Sequence, residues 1–138
     1  MTDRRGGAEA LIYRYYAAFN AGDAAAMLEL VSEDVRHEPN QGAPRTGRAA
    51  FAAFLAHMDR CYAERLEDIV VMTDATGAHA AATFTVHGRY KATDEGLPEA
   101  QGQAYVLPAG TFFTFRDGRI ARVATSYNLP DWIAQVSA

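Results

Sequence analysis

Glu38 sits in the polar run His37-Glu38-Pro39-Asn40-Gln41-Gly42, just past the strand-like residue Val35. A carboxylate turned toward an apolar cavity is a candidate general base. Pro39 and Gly42 interrupt regular pairing, so the chain leaves its sheet here with polar groups gathered at one rim. Such a rim is either a site or a solvated loop. Tyr15 is the second candidate. It shares a helical face with Leu11 and Phe19 at i, i+4 and i+8, which directs its ring inward. A buried tyrosine hydroxyl requires a partner, which is either a ligand or a backbone carbonyl. His57 lies beside Phe54 and Met58 on a helical face, within reach of a cavity mouth or simply exposed. His37, His57, His79 and His87 show none of the short paired spacings that set two imidazoles on one metal, so no metal site is expected. The single cysteine, Cys61, has no partner for an internal disulfide and reads as a buried helix residue in a reducing compartment. No glycine-rich phosphate loop follows a strand, and no Gly-x-Ser-x-Gly elbow is present.

Several function classes fall away on composition. The chain has 138 residues, 49% hydrophobic and 22% charged, with a net charge of -4. That length predicts one domain, 1–138, with a real core. The charge gives no electrostatic argument for nucleic acid or an anionic membrane. Met1 to Gly7 carries basic residues without a following apolar stretch, so it does not read as a secretory signal, and no run reaches transmembrane length. The expectation is a cytoplasmic protein acting on small molecules or protein partners.

Three helices and then a sheet must position these residues. Leu11, Ile12, Tyr15, Tyr16, Ala18 and Phe19 recur at helical spacing between Ala8 and Asn20, and Gly22 ends that helix. Asp23 is a natural N-cap for a short second helix carrying Met27, Leu28, Leu30 and Val31. Phe51, Phe54, Leu55, Met58 and Tyr62 trace a third. Leu66 to Thr73 and Ala78 to Lys91 are strand-like, joined by the turn Asp74-Ala75-Thr76-Gly77. Phe84, Val86, Gly88 and Tyr90 form an apolar face opposite Thr83, Thr85, His87 and Arg89, which favours an antiparallel sheet. Residues 92–102 predict a long hairpin loop, either a lid or plain solvated chain. Gln103 to Arg116 follows, with a bend or bulge expected at Pro108-Ala109-Gly110, then the turn at Asp117-Gly118 and a strand to Asn128. Pro130 to Val136 reads as a closing helix or apolar latch. The order predicts an α+β domain whose curved antiparallel sheet wraps a helical layer.

Tyr13 to Asp23, then Ser32-Glu33-Asp34-Val35 with His37-Glu38-Pro39, then Arg45 to Phe51, resemble the ketosteroid isomerase-related, SnoaL-like branch of the nuclear transport factor 2-like superfamily. The resemblance spans nearly the whole chain. It implies a conical barrel of curved antiparallel sheet around three N-terminal helices (a cystatin-like fold), an interior pocket, no cofactor, and a homodimer packed through the outer sheet face. It places Tyr15 at the oxyanion-binding tyrosine and Glu38 at the acidic base. Two departures accompany the match: the base is glutamate, and its spacing from Asp23 is one residue shorter than in the isomerases. A one-residue register change inverts every side chain, so either Glu38 or His37 faces the pocket. Thr111 falls where the isomerases hold a protonated aspartic acid, and a threonine hydroxyl is a weaker donor. A full steroid isomerase is therefore not expected.

Phe54, Met58, Phe84, Tyr90 and Phe113, with His37, His57, Thr111 and Tyr127, are the candidate substrate-binding positions, each either pocket lining or core. The expected function is proton transfer on a hydrophobic carbonyl compound, with Glu38 as base and Tyr15 as donor to the oxyanion. The alternative is a non-catalytic dimeric binding protein for a small hydrophobic ligand.

Overall fold

The computed structural model describes residues 4–138. Met1, Thr2 and Asp3, the start of the stretch read above for a signal sequence, lie outside the described residues. Helix α1 (Arg4–Asn20) buries Ala8, Ile12, Tyr15 and Tyr16, and α2 (Ala24–Leu30) buries Met27 and Leu30. Gly22 turns the chain between them at φ 70°, and the Asp23 side chain accepts from the Ala26 amide as the N-cap of α2. The chain then enters β1 (Val31–Glu38) directly, turns back through the short β2 (Arg45–Thr46), and forms α3 (Arg48–Cys61).

Strands β3 (Tyr62–Thr73), β4 (His79–Tyr90), β5 (Ala104–Arg116) and β6 (Arg119–Tyr127) follow, and α4 (Leu129–Ser137) closes the chain. The six strands form one curved sheet in the order β2-β1-β6-β5-β4-β3. The sheet is not closed, so the expected barrel is an open cone with β2 and β3 at its two edges. Its pairings are antiparallel except one: β1 runs parallel to β6, with His37 opposite Val123 and Glu38 opposite Ala124. Three helices precede the long strands, and α4 takes the closing-helix form of the two read for Pro130 to Val136. No helix among the described residues is long and apolar enough to cross a membrane.

The third helix stops at Cys61, and Tyr62 is already extended at φ -134°, so β3 starts four residues earlier than the apolar pattern predicts. Within β3, Asp68 adopts φ 54° and the pairing with β4 skips between Glu67 and Val70. This bulge turns Val70 and Met72 to the outer face, where they are exposed. Asn20 pins the end of α1 beside the bulge, donating to the Leu66 carbonyl at 3.0 Å and accepting from its amide at 2.8 Å. The bend expected at Pro108-Ala109-Gly110 does not occur. Pairing with β4 continues unbroken from Ala104 to Thr114, and a side chain at Gly110 would lie 3.3 Å from the Ala82 carbonyl oxygen. That glycine permits close approach of two strands rather than a turn.

Candidate active site

Between the concave face and the helices lies a cavity of about 440 Å³, the size of a small-molecule site. Strand phase decides which residues enter it. In β1, Val35 and His37 are buried while Arg36 and Glu38 point outward. His37 is 3% exposed and packs between Phe51 and Phe54, with ring centroids 4.9 and 4.3 Å away. Burial, reinforced by the charge of Arg45, lowers its pKa to about 4 and keeps it neutral.

Glu38 does not reach the cavity. Its Oε1 accepts from Arg36 Nε at 3.1 Å and its Oε2 from Arg122 Nε at 2.6 Å on the outer face. Partial burial pushes its carboxyl up, but the two arginines outweigh this and hold it below the ordinary value. A carboxylate so stabilised is a poor base. The expectation of Glu38 as base is thus corrected by the pairing of β1 with β6, which places Val123 and His37 inward together.

Tyr15 lines the cavity from α1, and burial raises its hydroxyl well above the ordinary pKa, so it stays a protonated donor. Its ring is fixed edge-on to Tyr16 and Phe113, with centroids 5.2 and 5.8 Å away. Thr111 lies inward on β5, buried, with its hydroxyl 3.4 Å from that of Thr125. Phe54, His57, Met58, Phe84 and Tyr127 also line the cavity. Two candidates belong elsewhere. Phe113 is 1% exposed and stands behind Tyr15 and Tyr16 as core support. Tyr90 is fully buried and anchors the loop after β4: its hydroxyl donates to the Pro98 carbonyl at 2.6 Å and accepts from the Asp94 amide at 2.9 Å.

The cavity lining also holds three carboxylates outside the sequence motifs, Glu64, Asp94 and Glu95. Glu64 on β3 faces inward, and its Oε2 accepts a 2.6 Å hydrogen bond from the Tyr105 hydroxyl. The bond spans three strands in one row, because Glu64 pairs with Gly88 and Gly88 pairs with Tyr105. Gly88 leaves the space through which the Tyr105 ring passes; a side chain there would lie 2.3 Å from that ring. Enclosure by protein raises the Glu64 pKa, and the Tyr105 bond partly offsets the rise. Its other oxygen, Oε1, has no hydrogen-bond partner among the described residues. A carboxyl with a raised pKa inside a cavity can take a proton and return it.

Asp94, in the loop after β4, is the second carboxylate. It accepts from His57 Nε2 at 2.9 Å and from the Tyr62 hydroxyl at 2.8 Å. Cys61 brings its sulfur close enough that one ligand atom each from His57, Cys61 and Asp94 lies within 4.8 Å of the others. Arg60 donates to His57 Nδ1 at 3.0 Å, which assigns the imidazole proton to Nε2, facing Asp94. That tautomer suits a hydrogen-bonded clasp between α3 and the loop rather than metal ligation through Nε2. The alternation Tyr62, Glu64, Leu66 was the sequence signal for Glu64. Nothing in the local pattern marked Asp94.

The comparisons with known proteins agree with this architecture. The family model of the SnoaL-like domain matches residues 12–123. A candidate polyketide cyclase of Pseudomonas putida KT2440 is 63% identical, with a TM-score of 0.90 over 91% of this chain and 95% of that one. One from Xanthomonas campestris pv. campestris is 54% identical, with a TM-score of 0.94 over 97% and 99%. One from Silicibacter sp. TM1040 is 57% identical, with a TM-score of 0.93 over 96% of each. None of the curated proteins matches. With its open α+β cone and a match over most of its length, the chain belongs to the SnoaL-like family, within the nuclear transport factor 2-like superfamily.

Proposed function

We propose that the chain is a small cyclase- or isomerase-like enzyme whose own side chains transfer a proton on a hydrophobic carbonyl compound of the polyketide type. Glu64 is the base in this reading. The observation that carries it is the enclosed carboxyl with one oxygen held by Tyr105 and the other unbonded. Glu64 Oε1 takes the proton from the carbon beside the carbonyl, the electron pair moves into the carbonyl to give an enolate, and the protonated carboxyl returns the proton at the new position. Tyr15 donates a hydrogen bond to the enolate oxygen, and Thr111 offers a weaker donor on the same concave face. The names of the similar proteins support the polyketide class. Pairing with a second copy through the outer sheet face completes the proposal.

The test is solvent deuterium incorporation beside the carbonyl of aromatic ketones and polyketide-like enones, alongside ligand binding by thermal shift. Glu64→Gln is expected to slow exchange by on the order of 100-fold or more while binding persists. Glu38→Gln is expected to leave exchange unchanged. Full activity in Glu64→Gln would overturn the assignment, and binding without exchange by the unaltered chain would make it a carrier.

A further inference from the structure

The cavity lining carries an arginine as well as carboxylates. Arg45 on β2 is the cross-strand partner of His37 on β1, so both side chains leave the sheet on the concave side. Its guanidinium lies 5.7 Å over the centroid of Phe54, the ring that also packs on His37. Arg45 lines the cavity, and among the described residues no carboxylate or carbonyl accepts a hydrogen bond from it. By contrast, Arg36, Arg65, Arg116 and Arg122 each hold a carboxylate. Glu38, the acid nearest in sequence, is engaged on the other face of the sheet.

His37 supplies an independent observation at the same end of β1. Its Nδ1 is buried without a hydrogen-bond partner although the ring lines the cavity. Burying an unpaired polar group costs free energy that a bound ligand can offset. β2 and β3 are opposite edges of the sheet, and Glu64 and the Asp94 clasp belong to the β3 side.

We propose that the His37–Arg45 end binds a carboxylate on the ligand, which makes the substrate an aromatic or polyketide-type acid held with its neutral carbonyl portion toward Glu64. The inference rests on the proposed function only in taking the cavity as the site of a hydrophobic compound. Phe54 orients the guanidinium, and a charge-assisted bond to a carboxylate replaces the partner Arg45 lacks. Glu64, Asp94 and Glu95 in the same lining repel a carboxylate that Arg45 attracts, so one orientation is favoured over its reverse.

The experiment compares anthraquinone-2-carboxylate with anthraquinone-2-carboxamide, read by quenching of Trp132, the single tryptophan, which lines the cavity. The acid is expected to bind about tenfold more tightly than the amide, a difference of about 1.4 kcal/mol. Arg45→Met, which keeps an apolar stem on Phe54, is expected to abolish that preference without weakening the amide, and Arg45→Lys to keep part of it. Equal binding of acid and amide, or a preference that survives in Arg45→Met, overturns the anionic subsite while the hydrophobic-ligand reading stands. Failure of both compounds to bind overturns the subsite and that reading together. A Glu64→Gln variant that keeps the acid preference but loses exchange supports both assignments separately.

Discussion

Glu64 is tuned by two opposed influences, enclosure that raises its pKa and the Tyr105 hydroxyl that lowers it. As a base it works deprotonated, so kcat/KM should fall as pH drops through its raised pKa. Removing the hydroxyl in Tyr105→Phe leaves enclosure unopposed. The acid limb of the pH profile should then move to higher pH, and a limb that stays in place would detach Tyr105 from the mechanism. The same raised pKa makes the native state hold this proton more tightly than the unfolded chain. Its contribution therefore favours folding at low pH and is lost as pH rises from the ordinary value through the raised one. The sequence displayed His37 and Glu38 as neighbours of opposite phase, but phase is set by the partner strand, and β6 begins more than 80 residues later. Glu64 was hidden for a related reason. Placing Tyr62 in the third helix and starting the strand at Leu66 breaks the alternation Tyr62, Glu64, Leu66 that gives Glu64 its inward face.

At the scale of elements, the row Glu64, Gly88, Tyr105 shows one strand positioning a group on another by leaving a gap. Gly88→Ala should destabilise the fold by about 1–3 kcal/mol in urea titration, because the Tyr105 ring has to move from its place. It should also reproduce the alkaline shift of Tyr105→Phe; an unchanged profile in a destabilised variant would mean the ring keeps its bond. The helices were legible because a buried stripe such as Ile12, Tyr15, Tyr16 repeats at helical spacing, and Asp23 advertised its cap. Strand irregularities were not. The bulge at Asp68 needs a left-handed conformation in a residue other than glycine, which composition does not announce, while Pro108 and Gly110 advertised a bend that continuous pairing with β4 overrides.

For the whole molecule, the convex side of the sheet leaves Val70, Met72, Val106 and Phe112 about half exposed. Large apolar side chains exposed on one side of a sheet offer a surface for a partner, and a second copy of the chain is the one proposed here. Phe112→Asp should convert a species of twice 15.0 kDa into one of 15.0 kDa by light scattering, with secondary structure retained. A monomeric parent protein would remove the dimer from the proposal. The α+β class and the family were legible from motifs spread along the chain, whereas the parallel join of β1 to β6 was not, since no local pattern encodes a pairing between opposite halves. That join has a consequence for how the protein comes into being. The wall bearing His37 and Arg45 has no neighbouring strand for its long edge until residues 119–127 have been synthesised. Closing the cavity wall thus awaits a pairing of high sequence separation, the kind of contact that forms slowly. A ribosome stalled before β6 would hold a nascent chain whose β1 and β2 wall, with His37 and Arg45, is not yet joined to the sheet that carries Glu64 and Tyr105.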